Sequence, residues 1–192
     1  MEKIVRINMT GKSFTLEPVD EKYTLFGGRG LIAKILSEEV DPKCDPLGSE
    51  NKLIFCAGLL GGTPAPCSGR LSIGGKSPLT GTIKEANAGG TFSQKLVSLG
   101  VKALVIEGQP AADEWSLVFL SEDSVELLPA DKYLGMNNYA LTEALQKDFG
   151  EKISIASIGC AGERGYKNST VQITDLEGHP SRAAARGGLG SV

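Results

Sequence analysis

Asn87-Ala88-Gly89-Gly90 in mid-chain and Ala185-Arg186-Gly187-Gly188 near the end close two stretches that run in the same order. Ahead of the first, Gly28–Val40 reads as a helix, and Leu53–Gly58 and Arg70–Gly74 as strands. Ahead of the second, Asn137–Phe149 reads as a helix, and Ile153–Gly159 and Thr170–Thr174 as strands. Leu31, Ile32, Ile35, Leu36 and Val40 share one helical face, as do Leu141, Ala144, Leu145 and Phe149. A helix and two strands, repeated and closed each time by a small-residue turn, predict two similar halves. Strands outnumber helices and do not alternate strictly with them. The expected class is therefore α+β: two pseudo-symmetric halves of mostly antiparallel β-sheet with a few helices.

The remaining segments fit that frame. Lys3–Met9 and Ser13–Pro18 alternate apolar with polar residues around the turn Thr10-Gly11-Lys12, which predicts a hairpin. Trp115–Leu120 and Val125–Leu128 predict a second one. Lys52–Ala57 and Lys102–Gly108 read as strands, Lys152–Ile158 as another, and Phe92–Leu99 as a short helix. Gly27-Gly28-Arg29-Gly30 lacks the spacing of a phosphate loop and reads as a helix cap.

Composition excludes several classes. The chain is 41% hydrophobic and 22% charged, ordinary for a globular domain. With a net charge of −3 it has no broad basic field for nucleic acid or an anionic membrane, so any anion site must be local. No apolar run reaches membrane-spanning length and the N-terminus carries no cleavage signal, which predicts a cytoplasmic protein. Cys44, Cys56, Cys67 and Cys160 include no CxxC pair, and His179 is the single histidine, so the cysteines read as free thiols rather than a zinc cage. His179 itself reads as an exposed turn residue. Cys67 and Ser68 lack visible histidine or aspartate support as nucleophiles.

Three segments carry site chemistry. In Pro64-Ala65-Pro66-Cys67-Ser68-Gly69-Arg70 a stiffened loop presents Arg70, either to an anionic ligand or simply to solvent. In Ala86-Asn87-Ala88-Gly89-Gly90, Asn87 offers an amide to a ligand or a hard cation, and the glycine pair offers backbone N–H groups to a phosphate. The third is the run Ser181–Ser191, in which two arginines, three alanines and three glycines fall within nine residues. Guanidinium forks suit phosphate-like groups, and small residues let a large ligand approach the backbone. A chain end so rich in site chemistry predicts that residues 1–192 are one domain cut from a longer protein near its ligand site.

Taken together, these segments resemble the N-terminal domain of the tungsten-containing aldehyde ferredoxin oxidoreductase family over nearly the whole chain. The most specific motifs are Ala65-Pro66 with Gly69-Arg70, Lys76-Ser77-Pro78-Leu79-Thr80-Gly81, Ala86-Asn87-Ala88-Gly89-Gly90, Ile158-Gly159 with Ala161-Gly162-Glu163, and Arg182-Ala183-Ala184-Ala185-Arg186-Gly187-Gly188. The resemblance implies a largely β base that seats a bis-pyranopterin tungsten cofactor, with the metal held by dithiolene sulfurs. It implies that Arg70 and Arg182 approach the two pterins. Asn87 and the backbone of Ala183 would surround a bridging magnesium, and Gly89, Ala185 and Arg186 would make further pterin contacts.

The parent would oxidise aldehydes and pass electrons to ferredoxin. Its four-iron four-sulfur cluster, catalytic groups and substrate channel would lie in its own later domains, so no catalytic residue is expected here and the isolated domain should be inactive. Homodimer contacts are a further expectation. Pro180-Ser181 lengthens the approach to Arg182, and Ala185 replaces a common glycine. The residues leave open a molybdenum-using or other-substrate relative, and a non-catalytic anion-binding or interaction module.

Overall fold

The computed structural model describes residues 2–111 and 113–192. A hairpin of β1 (Lys3–Asn8) and β2 (Ser13–Pro18) opens the chain, its turn tied by the Gly11 N–H donating to Asn8 Oδ1 at 2.8 Å. Then come α1 (Gly28–Glu39), β3 (Lys52–Ala57), β4 (Leu71–Lys76), β5 (Ile83–Ala88), α2 (Phe92–Ser98) and β6 (Val101–Glu107). The six strands form one sheet in the order β2-β1-β6-β3-β4-β5. Among the described residues of this sheet, only β1 and β6 pair in parallel. The second half supplies the hairpin β7 (Ser116–Leu120) and β8 (Val125–Pro129), then α3 (Asn138–Phe149), β9 (Ala156–Ser157), α4 (Gly159–Glu163), β10 (Val171–Ile173) and β11 (Arg182–Ala184). Its last three strands form an antiparallel sheet, β11-β10-β9.

Alternation along the strands divides the core. One face of the large sheet, with Ile4, Ile54, Cys56, Ala103 and Val105, buries the Leu31/Ile32/Ile35/Leu36 stripe of α1. The other, with Val5, Ile7, Phe55, Leu71 and Ile73, shares a core with Val171, Ile173, Ala184 and Leu189 of the second half. The two halves are thus packed on one another rather than strung out.

The repeat runs deeper than the glycine pairs suggested. Both ends of α1 and α3 differ by the same 110 positions (138 − 28 and 149 − 39). The same shift converts Lys22, Tyr23 and Glu38 into Lys132, Tyr133 and Asp148. In each triplet the buried tyrosine donates its hydroxyl to the carboxylate at 2.7 Å, and the lysine ammonium lies over the ring while pairing with that carboxylate. The halves are nevertheless unequal in sheet size.

Several boundaries differ from the sequence expectation. β4 begins at Leu71, one residue later than expected, and runs on to Lys76. β5 and β11 read as loops because their inward residues, Ala86, Ala88 and Ala184, are too small to register as an apolar strand. The expected strand Lys152–Ile158 contracts to β9, since Ile155 N–H is taken by the Thr174 side chain instead of a ladder partner. α4 went unread. The glycine pairs are also not equivalent. Leu71 pairs with Ala88 and Val171 with Ala184, so register matches Asn87 to Ala183 and Gly89 to Ala185. Gly90 has φ +101°, and a Cβ there would lie 2.5 Å from Thr174 O. The next residue donates its N–H to that same oxygen at 3.0 Å. Gly90 therefore marks one point at which the two halves touch, with the N–H of Thr91 bonded across it.

Candidate functional site

The ends of β5 and β11 and the start of β4 meet around a cleft of about 780 Å³, a size typical of ligand pockets. Arg70 stands immediately before β4, Gly89 immediately after β5, and Arg182 and Ala183 open β11. All four line the cleft. A Cβ built on Gly89 would lie 3.8 Å from both Arg70 Nη1 and Arg182 Cδ. The two exposed arginines therefore come from opposite halves and flank one glycine, which keeps the space between them open.

Asn87 is half-buried on the same strand end. Arg70 Nε donates to its side-chain oxygen, and Arg70 Nη2 lies 3.5 Å from its backbone oxygen. Its amide nitrogen donates to Ser72 Oγ at 3.4 Å. Asn87 thus orients Arg70, and its side-chain oxygen is engaged. Ala185 and Arg186 are exposed beyond β11 and do not line the cleft. Of the seven predicted binding residues, the structure gathers Arg70, Gly89, Arg182 and Ala183 at the cleft and Asn87 behind Arg70, and leaves Ala185 and Arg186 beside it.

Sequence reasoning missed the loop between β10 and β11. Asp175 Oδ1 accepts from the N–H groups of Glu177 and His179 at 3.0 Å each, and Oδ2 accepts from Ser181 Oγ. The Ser181 hydrogen bond above all holds this carboxyl below its usual range. One ionised side chain therefore ties together the segment that delivers Arg182. The added Pro180-Ser181 is built into that tie: Pro180 is buried and Ser181 supplies a donor. Asp175 and Glu177 also line the cleft, so its charge is mixed. The readable signal was an aspartate opening a Gly-containing turn. His179 lies on that turn, exposed, 3.6 Å from Glu177, as expected.

The four cysteines are free. Cys44 and Cys56 are buried, Cys160 is half-buried and Cys67 is exposed. Among the described residues no three His, Cys, Asp or Glu side chains converge on a metal position. A hard cation near the cleft would find backbone oxygens, such as that of Ala183, and an anion would find Arg70 and Arg182. No helix among the described residues is long and apolar enough to cross a membrane.

The two halves thus form one platform with an arginine from each half at a shared cleft of mixed charge. The model of the aldehyde ferredoxin oxidoreductase N-terminal domain matches residues 4–192, and the chain belongs to this family. It is 39% identical over 99% of its length to the tungsten-containing aldehyde ferredoxin oxidoreductase of Pyrococcus furiosus, covering 31% of that protein. Identity to the Pyrococcus abyssi enzyme of the same name is 41%, with the same coverage. The chain thus spans about a third of the length of these relatives. It is also 30% identical over 87% of its length to the P. furiosus aliphatic sulfonate oxidoreductase WOR-like subunit, covering 28% of it. In structure it resembles the BamBC active-site complex of benzoyl-coenzyme A reductase bound to 1,5-dienoyl-CoA, with a TM-score of 0.90, 29% identity, 98% of this chain covered and 28% of that one.

Proposed function

We propose that this domain seats a bis-pyranopterin tungsten cofactor in an enzyme that oxidises aldehydes to carboxylic acids and passes two electrons to ferredoxin. The observation that carries the reading is the pair Arg70 and Arg182, brought from separate halves to either side of Gly89 in a family whose named relatives are tungsten enzymes. When bound, the cofactor supplies the redox chemistry, and this chain supplies binding and orientation. Arg70 and Arg182 each offer a donor fork to an anionic part of a pterin. Asn87 holds Arg70 in its orientation, and Asp175 holds the loop that presents Arg182. The backbone oxygens of Asn87 and Ala183, at equivalent register positions, suit a magnesium ion between the cofactor's phosphates. Ala185 and Arg186 extend the contacts along the rim.

In the longer enzyme the remaining two-thirds would hold the iron–sulfur cluster, the acid–base groups and the aldehyde channel. A cytoplasmic, ferredoxin-linked homodimer completes the proposal. Its test is metal and pterin analysis of the full-length protein purified without oxygen from its host. Tungsten, magnesium and pterin in the wild type, with reduced content in Arg70→Ala and Arg182→Ala, support the reading. Wild-type content in both variants refutes it. A second reading keeps the platform with another substrate or molybdenum. It is favoured by the similarity to proteins named for aliphatic sulfonate and benzoyl-CoA chemistry. Molybdenum in place of tungsten, or no aldehyde-dependent reduction of ferredoxin, would select it. A well-folded protein with neither metal nor pterin would leave an anion-binding module.

A further inference from the structure

We propose that Arg29 is a further anion-binding residue, forming with Arg70 a two-guanidinium seat for a phosphate-type oxyanion on the α1 side of the β5 edge, with Glu85 as its positioning residue. The proposal rests on the reading of Arg70 as an anion ligand and extends that site beyond the cleft.

Glu85 and Asn87 are two positions apart on β5, on the same strand face and about 7 Å from one another along it. Each holds one arginine through Nε. Arg29 Nε donates to Glu85 Oε2 at 3.2 Å, and Arg70 Nε donates to Asn87 Oδ1. Arg29, tethered at Nε alone, has both Nη groups open to an anion, the edge that grips phosphate in bidentate fashion, while Arg70 brings Nη2 to 3.5 Å from the Asn87 backbone oxygen and leaves Nη1 open. The contrast is Arg6, which gives Nε to Glu17 and both Nη groups to Glu39 and so has closed its fork within the protein.

The exposures point the same way. The Arg29 side chain is 77% exposed, while that of Glu85 is 10% exposed. The carboxylate is buried and its cation is displayed. Glu85 Oε1 is buried with no hydrogen-bond partner, so the site lacks a donor. A phosphate group with a protonated oxygen or a hydrating water supplies that donor and an anion together. Arg29, Glu85 and Arg70 together carry a net charge of +1.

Comparison with the second half adds an independent argument. In α3 the cap Asn137 accepts from the N–H groups of Tyr139 and Ala140 at 3.0 Å each. At the equivalent position α1 has Gly27, which makes no side-chain cap bond, and no acidic residue stands in its first turn. A side chain is excluded at Gly27, because a Cβ would lie 2.7 Å from Leu59 N. The twelve-residue helix therefore starts beside the displayed guanidinium with no side-chain cap at Gly27, its first N–H, that of Gly28, meeting the buried Cys56 thiol.

The test is calorimetric titration of cofactor-free full-length protein with inorganic pyrophosphate. Arg29→Gln should raise Kd roughly tenfold, as loss of a charge-assisted bidentate contact does, and Arg29→Lys by less. Arg70→Gln should weaken binding similarly. Glu85→Ala should weaken it about threefold even though it removes a negative charge, because Arg29 loses its tether. If Arg70→Gln weakens binding and neither Arg29 variant does, the Arg29 seat is wrong and the Arg70 reading survives. If none of them changes Kd, the Arg70 reading fails as well. Tighter binding in Glu85→Ala would overturn the positioning role. Near-ultraviolet circular dichroism on Arg29→Lys, which keeps the charge, checks that the loss is not one of folding.

Discussion

Replacing Gly90 with alanine attacks one point where the halves touch. Two costs follow from the geometry. The backbone at φ +101° disfavours a Cβ by about 1–2 kcal/mol. The new Cβ would also sit 2.5 Å from Thr174 O, a backbone atom that cannot swing aside, and overpacking of this kind costs about 1–3 kcal/mol. Together they predict about 2–5 kcal/mol against the closed contact. The sensitive reporter is the Thr91 N–H, which donates to Thr174 O at 3.0 Å. Hydrogen exchange of the full-length protein, read by mass spectrometry on the peptide containing Thr91, should speed up at least about thirtyfold, the equivalent of the lower bound. Gly89 and Arg70 belong to one side of this contact and Arg182 to the other, so pterin content should fall as well. Exchange within about threefold of wild type, with full pterin content, would show that Gly90 does not join the halves.

Three further outcomes follow. Tyr23→Phe and Tyr133→Phe should each cost about 1 kcal/mol, alike because each removes a part-buried 2.7 Å bond from a tyrosine hydroxyl to a carboxylate; a chemical-denaturation comparison of the two checks this. Glu38 is drawn from its ordinary 4.5 to about 2, chiefly by Lys34, then Tyr23 and Lys22. Its contribution to stability is thus full above 4.5 and lost as pH falls towards 2, so wild type and Glu38→Gln should differ in melting temperature at pH 7 and converge near pH 2. On the proposed seating, Asn87→Ala should lower pterin content, because Arg70 donates to both the side-chain and the backbone oxygen of Asn87 and loses the first tether; pterin analysis at the wild-type level would show that Asn87 does not position Arg70.

The sequence carried the elements whose apolar side chains are large. The Leu31/Ile32/Ile35/Leu36 stripe and the run Lys52–Ala57 were legible because burial of such residues dictates their period, and the hairpins because alternation flanks a turn, even though Phe14 and Leu16 of β2 are exposed. It failed where alanine does the same work. β5 and β11 bury Ala86, Ala88 and Ala184, whose methyl groups give no periodic signal, and these are the strands that carry the site. Arg70 and Arg182 could be singled out by chemistry and family motif, but not their convergence on Gly89, which depends on packing between segments about a hundred residues apart. Asp175 stayed hidden because its partners are mostly backbone N–H groups, which every sequence has.

The repeat explains the cleft only in part, and the remainder is informative. Register makes Asn87 equivalent to Ala183, so both halves bring the same strand-end backbone to the centre. The arginines break that equivalence. The residue matching Arg70 in the second half is Thr170, just before β10, and the residue matching Arg182 in the first half is Ala86, buried within β5. Each half therefore contributes one guanidinium, but from a different strand and by a different tether: an amide for Arg70, an aspartate-clamped loop for Arg182. A ligand across the cleft meets matched backbone in the middle and unlike side chains at its two ends. A group built of two similar parts around a central ion has that symmetry, and the unequal arginines give its two parts different electrostatic surroundings. Exchanging the tethers, not only deleting the arginines, is then what would separate the two ends in function.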